Sequence, residues 1–441
     1  MDLDAVVVGA GVAGLAAAAV LRRAGARCLV LEAGSRLGGR AFTDQPAALG
    51  GAAFDHGASW LHAAERNPLV PLARAAGCEL GDTRGDWTRH VMIEGRPAGA
   101  SEIADYLATR ERFEAIARAR AAAGPDTSVD AAVAALRGDP WLATVETWEA
   151  SLIAAADPRD LSVQDWHLNE LAGGNLRVGG GLGAMVAGVL GPLAGAVRLD
   201  APVRRIAWDR PGGGVELSGE FGTLAARTAI VTVSTGVLRA EGIRFTPALP
   251  EPRRAALEAL PMGLLSKVAL AARGPDRFGL APGTSLFRRL DDPAERAIFF
   301  SPWPLGQGHM IGFFGGRAAW ALAAEGAAAT EAFARAELVR LLGARAAAGF
   351  GAAVVTSWGT DPAFLGAYAY ARPGGVAARA AMDTPVADRL WFAGEAWCMD
   401  GLAGTVGGAF VSGTRAATAA AAVLGFSVPA LPDWWGRAPS R

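Results

Sequence analysis

Of the 42 lysine and arginine residues in the sequence, only Lys267 is a lysine. It lies in the apolar, strand-like run Gly263-Leu-Leu-Ser-Lys267-Val-Ala-Leu270, whereas a surface lysine ordinarily has polar neighbours. A buried ammonium can lose its proton and a guanidinium cannot. Lys267 is therefore the one basic side chain suited to proton or solvent chemistry in an apolar site. The second chemical signal is Gly9-Ala-Gly11-Val-Ala-Gly14, with Glu32 eighteen residues further on. Gly9 permits a tight turn, Gly11 lets backbone approach a pyrophosphate, Gly14 allows a helix to pack on a strand, and Glu32 is placed to accept ribose hydroxyls while repelling a 2′-phosphate.

These residues need particular elements to position them. Ala5 to Val8 reads as a strand, the alanine-rich stretch after Gly14 as a helix, and Cys28 to Leu31 as a second strand closed by Glu32. That βαβ context turns a weak glycine pattern into a dinucleotide site. It does not choose between NAD and FAD. Further strands are expected at Val203 to Trp208, Val215 to Leu217 and Ala229 to Val233, separated by a Gly212-Gly213-Gly214 turn. Residues from about 76 to 195 read as helical and irregular, with a helix capped by Ser101 and stopped at Gly124-Pro125, its apolar side formed by Ile103, Tyr106, Leu107, Phe113 and Ile116. Strands around Ala297 to Phe300 and Met310 to Phe314 precede a helix capped by Thr330 that buries Phe333, Leu338, Leu341 and Leu342.

The chain of 441 residues, 51% of them hydrophobic, can bury a core large enough for two domains. A net charge of −1 gives no global electrostatic case for nucleic acid or an anionic membrane surface. Three cysteines, Cys28, Cys78 and Cys398, are far apart and form no CxxC, so they read as free thiols in a reducing, cytoplasmic setting. The first strand begins at once, leaving no room for a signal peptide, and the tail from Asp433 is short and polar. Val178 to Val197 carries no charge, yet its glycines and Pro192 favour a glycine loop and a short helix over a membrane span.

Beyond the nucleotide motif the chain resembles flavin-containing amine oxidases, the family of polyamine and monoamine oxidases and lysine-specific histone demethylases. The segment Glu32-Ala-Gly-Ser-Arg-Leu-Gly38-Gly39-Arg40 is similar to the one that carries the family's chain from the ribose along the diphosphate to the flavin. The resemblance places Gly39 and Arg40 beside it. Phe54-Asp55-His56-Gly57-Ala58-Ser59-Trp60-Leu61-His62 resembles the stretch that, in polyamine oxidases, passes the flavin and reaches the substrate tunnel, with Ala63 where glycine is usual. For His62, a hydrogen-bonded structural role and a substrate-side role are both open; Trp60 reads as packing more than chemistry.

The same resemblance covers Thr246-Pro-Ala-Leu-Pro250 and the strand of Lys267, whose family counterpart holds a water against flavin N5. It implies that the backbone at Val203 meets the adenine, that Trp358 lies near the isoalloxazine and that Tyr368 forms one side of an aromatic cage around the amine. Ala367 stands where monoamine oxidases carry the cysteine that bonds the flavin, which implies non-covalent FAD. Leu390-Trp-Phe-Ala-Gly394-Glu395 and Gly404-Thr405-Val406 resemble the closing signature, with Glu395 by the ribitol or diphosphate and a helix opening at Thr405 toward the flavin pyrimidine. The family's second cage aromatic has no counterpart between Cys398 and Gly404; Met399 and Leu402 are nearest.

The resemblance implies an α/β fold in which a Rossmann-type FAD-binding domain (1–75, 196–245, 385–441) is interleaved with an α+β substrate-binding domain (76–195, 246–384). It implies oxidation of an amine, with polyamines among the candidates, by hydride transfer to flavin N5, with an imine hydrolysed by water and O₂ reduced to H₂O₂. Asp165, His167 and Glu170 are within the stretch that could meet a cationic substrate, although surface or structural roles suit them better. Rival readings are a flavin L-amino-acid oxidase or desaturase, an NAD-dependent dehydrogenase and a non-catalytic flavoprotein scaffold. Neither the amine nor the oligomeric state is written in the sequence.

Overall fold

A computed structural model describes residues 3–82, 90–430 and Trp435. Most of the polar tail read from Asp433 onward lies outside those residues.

The strand Leu3–Val8 pairs in parallel with Cys28–Leu31 on one side and with Gly222–Val231 on the other. Its side chains alternate between two cores: Ala5 and Val7 join the cluster on one face, Val6 and Val8 that on the other. A strand covered on both faces reads as a continuous apolar run, which is why Ala5 to Val8 shows no polar alternation. The sheet runs outward through Val215–Gly219 and Val203–Ala207 to Arg244–Thr246, and at its opposite edge ends on Val197–Arg198, while Leu390–Phe392 pairs with the inner half of Gly222–Val231. The expected strand at 229–233 is thus the end of a longer one that stops at Val231.

Three helices cover one face. Val12–Arg23 lies against both Leu182–Ala194 and Val406–Leu424. Gly14 explains the tight seating of the first: a Cβ there would collide with the carbonyl oxygen of Gly9, which itself has φ +104°. The stretch 178–197 splits as expected into a glycine loop and a 13-residue helix, and among the described residues no helix is long and apolar enough to cross a membrane.

A second, seven-stranded sheet runs Phe350–Val355, Leu265–Ala272, His309–Gly315, Phe299–Pro302, Leu286–Arg288, His90–Ile93, Arg96–Pro97. Lys267 is near the start of a strand flanked on both sides, paired with Phe313 in register. Helix Ala100–Ala123 packs over this half and ends where Gly124-Pro125 predicts. Its cap is Gly99, whose N–H donates to the Glu102 carboxylate, not Ser101. Its buried face is Tyr106, Thr109, Phe113 and Ala117; Leu107 is exposed. Similarly, the helix expected to begin at Thr330 begins after Gly326, and Thr330 is buried one turn in, donating to the carbonyl of Gly326. In both cases glycine took the cap, because its extended or positive-φ backbone enters the helix without a side chain.

Candidate active site

A cavity of about 920 Å³ runs from the glycine turn of the first sheet to the strands of the second. Its lining includes Gly9, Gly11, Glu32, Gly39, Arg40, Gly57, Ala58, Ser59, Trp60, His62, Val203, Lys267, Trp358, Tyr368, Gly394, Glu395, Thr405 and Val406. Of the residues singled out from the sequence, Gly14 stands back from it, under the turn, and His167, Met399 and Leu402 are also outside its lining.

At one end Glu32 accepts from the N–H of Ala10 at 2.6 Å and of Gly34 at 2.8 Å, locking the glycine turn to the end of its strand. Gly11 and Gly39 face each other so closely that a Cβ on Gly39 would lie 3.1 Å from the Gly11 Cα. Two backbones without side chains, one at a helix N-terminus, form a cradle that fits a pyrophosphate. Val203 begins its strand beside this end.

Midway, the Arg40 guanidinium donates to Glu395 at 2.9 Å and to the Ala367 carbonyl at 2.7 Å, joining three separated motifs. Glu395 is buried and also accepts from the N–H of Ala369. Thr405 caps the final helix, accepting from the N–H of Gly408 at 3.0 Å, so the positive end of Val406–Leu424 opens on the cavity.

Lys267 is 3% exposed. Its Nζ donates to the Asp55 carbonyl at 2.7 Å, to Ser59 Oγ at 2.6 Å and to the Gly57 carbonyl. Phe54, Trp60 and Phe313 stand about it with ring centroids 5.7–6.0 Å away. Burial drags its pKa down to about 7, with Asp55 opposing and Arg177 adding to the fall. The three oxygen acceptors favour the ammonium and oppose that fall. The segment that the lysine grips is pressed flat: a Cβ on Gly57 would run into the Arg40 carbonyl and sit 3.1 Å from the Trp358 ring, whose Nε1 donates to His56 O at 3.0 Å.

His62 Nδ1 is 2.7 Å from Asn175 Oδ1, and burial lowers its pKa although Asn175 pulls the other way. It is hydrogen-bonded structure and cavity wall at once. The Tyr368 hydroxyl donates to the carbonyls of Leu152 and Ile153, both at 3.1 Å, which fixes its ring. Across from it the cavity is lined by Ala403 and Gly404, while Leu402 is fully buried elsewhere. A Cβ on Gly404 would touch the Tyr368 ring at 3.4 Å, so the glycine backbone packs directly against that ring.

Sequence reasoning missed several lining residues. Trp148, Glu149 and Leu152 reach the cavity from a π-helical turn, Thr147–Leu152, and Arg110, Glu114 and Arg118 from the long helix. π-Turns widen the spacing of side chains and recur at functional sites, yet leave no mark in periodicity. The readable signal was Glu149 among apolar neighbours. Arg177, stacked on Trp60 at 4.4 Å and almost wholly buried, was also unread; burial lowers its pKa to about 10. Asp165 forms a buried pair with Arg379 at 2.8 Å, and His167 stands against Glu170 at 2.7 Å, so both serve structure first. The cysteines Cys28, Cys78 and Cys398 are free thiols.

A long cavity between a nucleotide-binding sheet and a second sheet, with one buried lysine at the junction, defines a two-lobed flavoprotein. The flavin containing amine oxidoreductase profile matches residues 12–421, and the chain belongs to that family; it is an FAD-dependent amine oxidase. Polyamine oxidase 3 of Oryza sativa subsp. japonica is 29% identical over 450 residues, covering 94% of this chain and 88% of the relative. A solved putrescine oxidase with bound putrescine superposes with a TM-score of 0.78 at 22% identity, covering 95% of this chain and 98% of the other. Cyclohexylamine oxidase from Brevibacterium oxydans superposes with a TM-score of 0.76 at 25% identity, covering 96% and 99%.

Proposed function

We propose that the protein oxidises an amine to an imine at the junction beside Lys267, that water hydrolyses the imine, and that O₂ is the final acceptor. For a primary amine the balance is R–CH₂–NH₂ + O₂ + H₂O → R–CHO + NH₃ + H₂O₂. The observation that carries the reading is the sequence's one lysine, buried where the Gly57 to Trp60 segment and the second sheet meet on the cavity. Bound FAD supplies the two-electron acceptor and returns the electrons to oxygen. Ala367 offers no nucleophile for a bond to it, so the cofactor is held by contacts alone.

The chain's residues do the rest. Gly9, Gly11 and Gly39 take the diphosphate, and Glu32 the ribose. The helix opening at Val406 behind its Thr405 cap would present its positive end to the ring where negative charge gathers on reduction. Trp358 and Trp60 wall the ring and the substrate path, His62 steadies that wall through Asn175, and Tyr368 offers an aromatic face to the amine. Lys267 spends its three N–H groups on Asp55, Gly57 and Ser59; by exchanging one of them for solvent it would order water at the reactive nitrogen, and it can hold or release a proton near neutral pH. The substrate must lose its own proton first. For an alkylamine with a pKa near ~10.4 this costs roughly 4.6 kcal/mol at pH 7, which an apolar wall offsets by disfavouring the charged form.

The test is a peroxide assay over mono-, di- and polyamines. Peroxide with matching aldehyde supports the reading. Activity confined to amino acids, or none on any amine while FAD is bound, overturns it.

A further inference from the structure

Around Tyr368 the cavity is walled by Trp148, Leu152, Phe299 and Phe313, and its lining continues to a chain of charged side chains that includes the buried Glu149. Arg110 Nε meets Glu149 at 3.0 Å and Glu114 at 3.1 Å. Arg118 meets Glu114 at 2.9 Å and Glu170 at 3.0 Å. Glu149 also accepts from the Trp166 indole, and Glu170 from His167. The remaining acid on this part of the lining, Asp165, is held by Arg379. Among the described residues, every carboxylate facing this half of the cavity already has a guanidinium.

Resting on the amine-oxidation reading above, we infer that the substrate is a singly charged amine with an apolar tail, and that the Arg110–Glu149 and Arg118–Glu170 pairs exclude a second ammonium. The geometry sets the length at which this matters. Leu152, whose carbonyl anchors Tyr368, is three residues from Glu149 on the same helix, so Glu149 is about one turn from the aromatic wall. A six-carbon chain spans roughly 8 Å, at roughly 1.2 Å per bond of extended chain. A diamine of that length would carry its far ammonium into the region of Glu149. There it would meet a carboxylate already committed to Arg110 and would either displace that guanidinium or remain buried and unpaired, both costly. An uncharged methyl at the same place would meet Trp148 and Leu152 instead. Three carboxylates share two arginines along this chain, so the exclusion rests on each carboxylate being already paired with a guanidinium at 2.9–3.1 Å and not on net charge.

Hexylamine and 1,6-diaminohexane differ only in the far ammonium and test this directly. The FAD-loaded enzyme at pH 8 is expected to show kcat/KM at least tenfold higher for hexylamine. A ratio below ten, or a preference for the diamine, overturns the inference while leaving amine oxidation standing; peroxide from neither overturns both. Arg110→Met, which releases Glu149 and leaves Glu114 to Arg118 alone, is expected to shift the ratio toward the diamine by about tenfold with FAD content unchanged. Arg118→Met, on a more exposed side chain, gives a second variant if the first folds poorly. A ratio that neither variant moves would refute the electrostatic origin.

Discussion

Replacing Lys267 with methionine removes the ammonium and keeps an unbranched stem as far as Cε. Nζ donates to three oxygens on residues 55–59, the segment pressed against Trp358 and lining the cavity. These bonds use all three N–H groups of the ammonium, so a bond to solvent at the reactive centre would replace one of them; losing one preorganised donor in a water-poor site is worth about 10²–10³ in rate, or ~2.7–4 kcal/mol. Lys267→Met should therefore keep its FAD, because none of the diphosphate contacts depend on Nζ, and should slow flavin reduction by amine or reoxidation by O₂ by about that factor. Anaerobic stopped-flow mixing with amine, followed by mixing with oxygen, separates the two half-reactions. Stability supplies an independent reading. Burial lowers the lysine pKa from 10.5 to about 7, so between those values the native state binds fewer protons than the unfolded chain. Stability should then rise with pH across that window, by at most ~5 kcal/mol in total at 1.36 kcal/mol per unit, and the methionine variant should lack this rise. Two unchanged half-reactions together with an unchanged pH dependence of unfolding would refute the reasoning.

The same site sets several other outcomes. Because the amine must be neutral, kcat/KM should climb from pH 6 to 10, and a flat profile would remove that step. Acid precipitation should leave all flavin in the supernatant, since Ala367 cannot bond it; colour kept in the pellet would reveal a covalent link. Gly57→Val should abolish FAD binding, measured by flavin content of the purified protein, because its side chain would strike the Arg40 carbonyl and the Trp358 ring. Arg379→Met leaves Asp165 buried without its cation and should cost about 3–5 kcal/mol in denaturant unfolding; a loss within 1 kcal/mol would show that the pair matters little.

The glycine turn, Glu32 and the strands around them were legible because each is a local device: a positive φ, a close backbone approach, an apolar run of strand length. Lys267 was legible through composition, as one lysine in an apolar strand. The helix starts at Ser101 and Thr330 misled because a favourable capping side chain says nothing about where the chain can turn, and Gly99 and Gly326 could turn one or more residues earlier. Leu107 misled because the helix turned Tyr106 and Phe113 inward and carried its neighbour out. The acid–base chain along the cavity was hidden for a different reason. Arg110, Glu114 and Arg118 look like any solvated helix face until Glu149, from a π-turn 31 residues beyond Arg118, is placed against them. Contacts of that kind are made by tertiary structure, and periodicity within one element does not report them.

The central claim is that an amine reduces a flavin held in the cavity beside Lys267. Its most direct test is to mix the purified protein anaerobically with hexylamine and follow the flavin absorbance. The yellow colour should bleach, and admitting air should restore it with release of an equal amount of H₂O₂. A yellow protein that hexylamine and the wider amine panel leave unbleached would contradict the account.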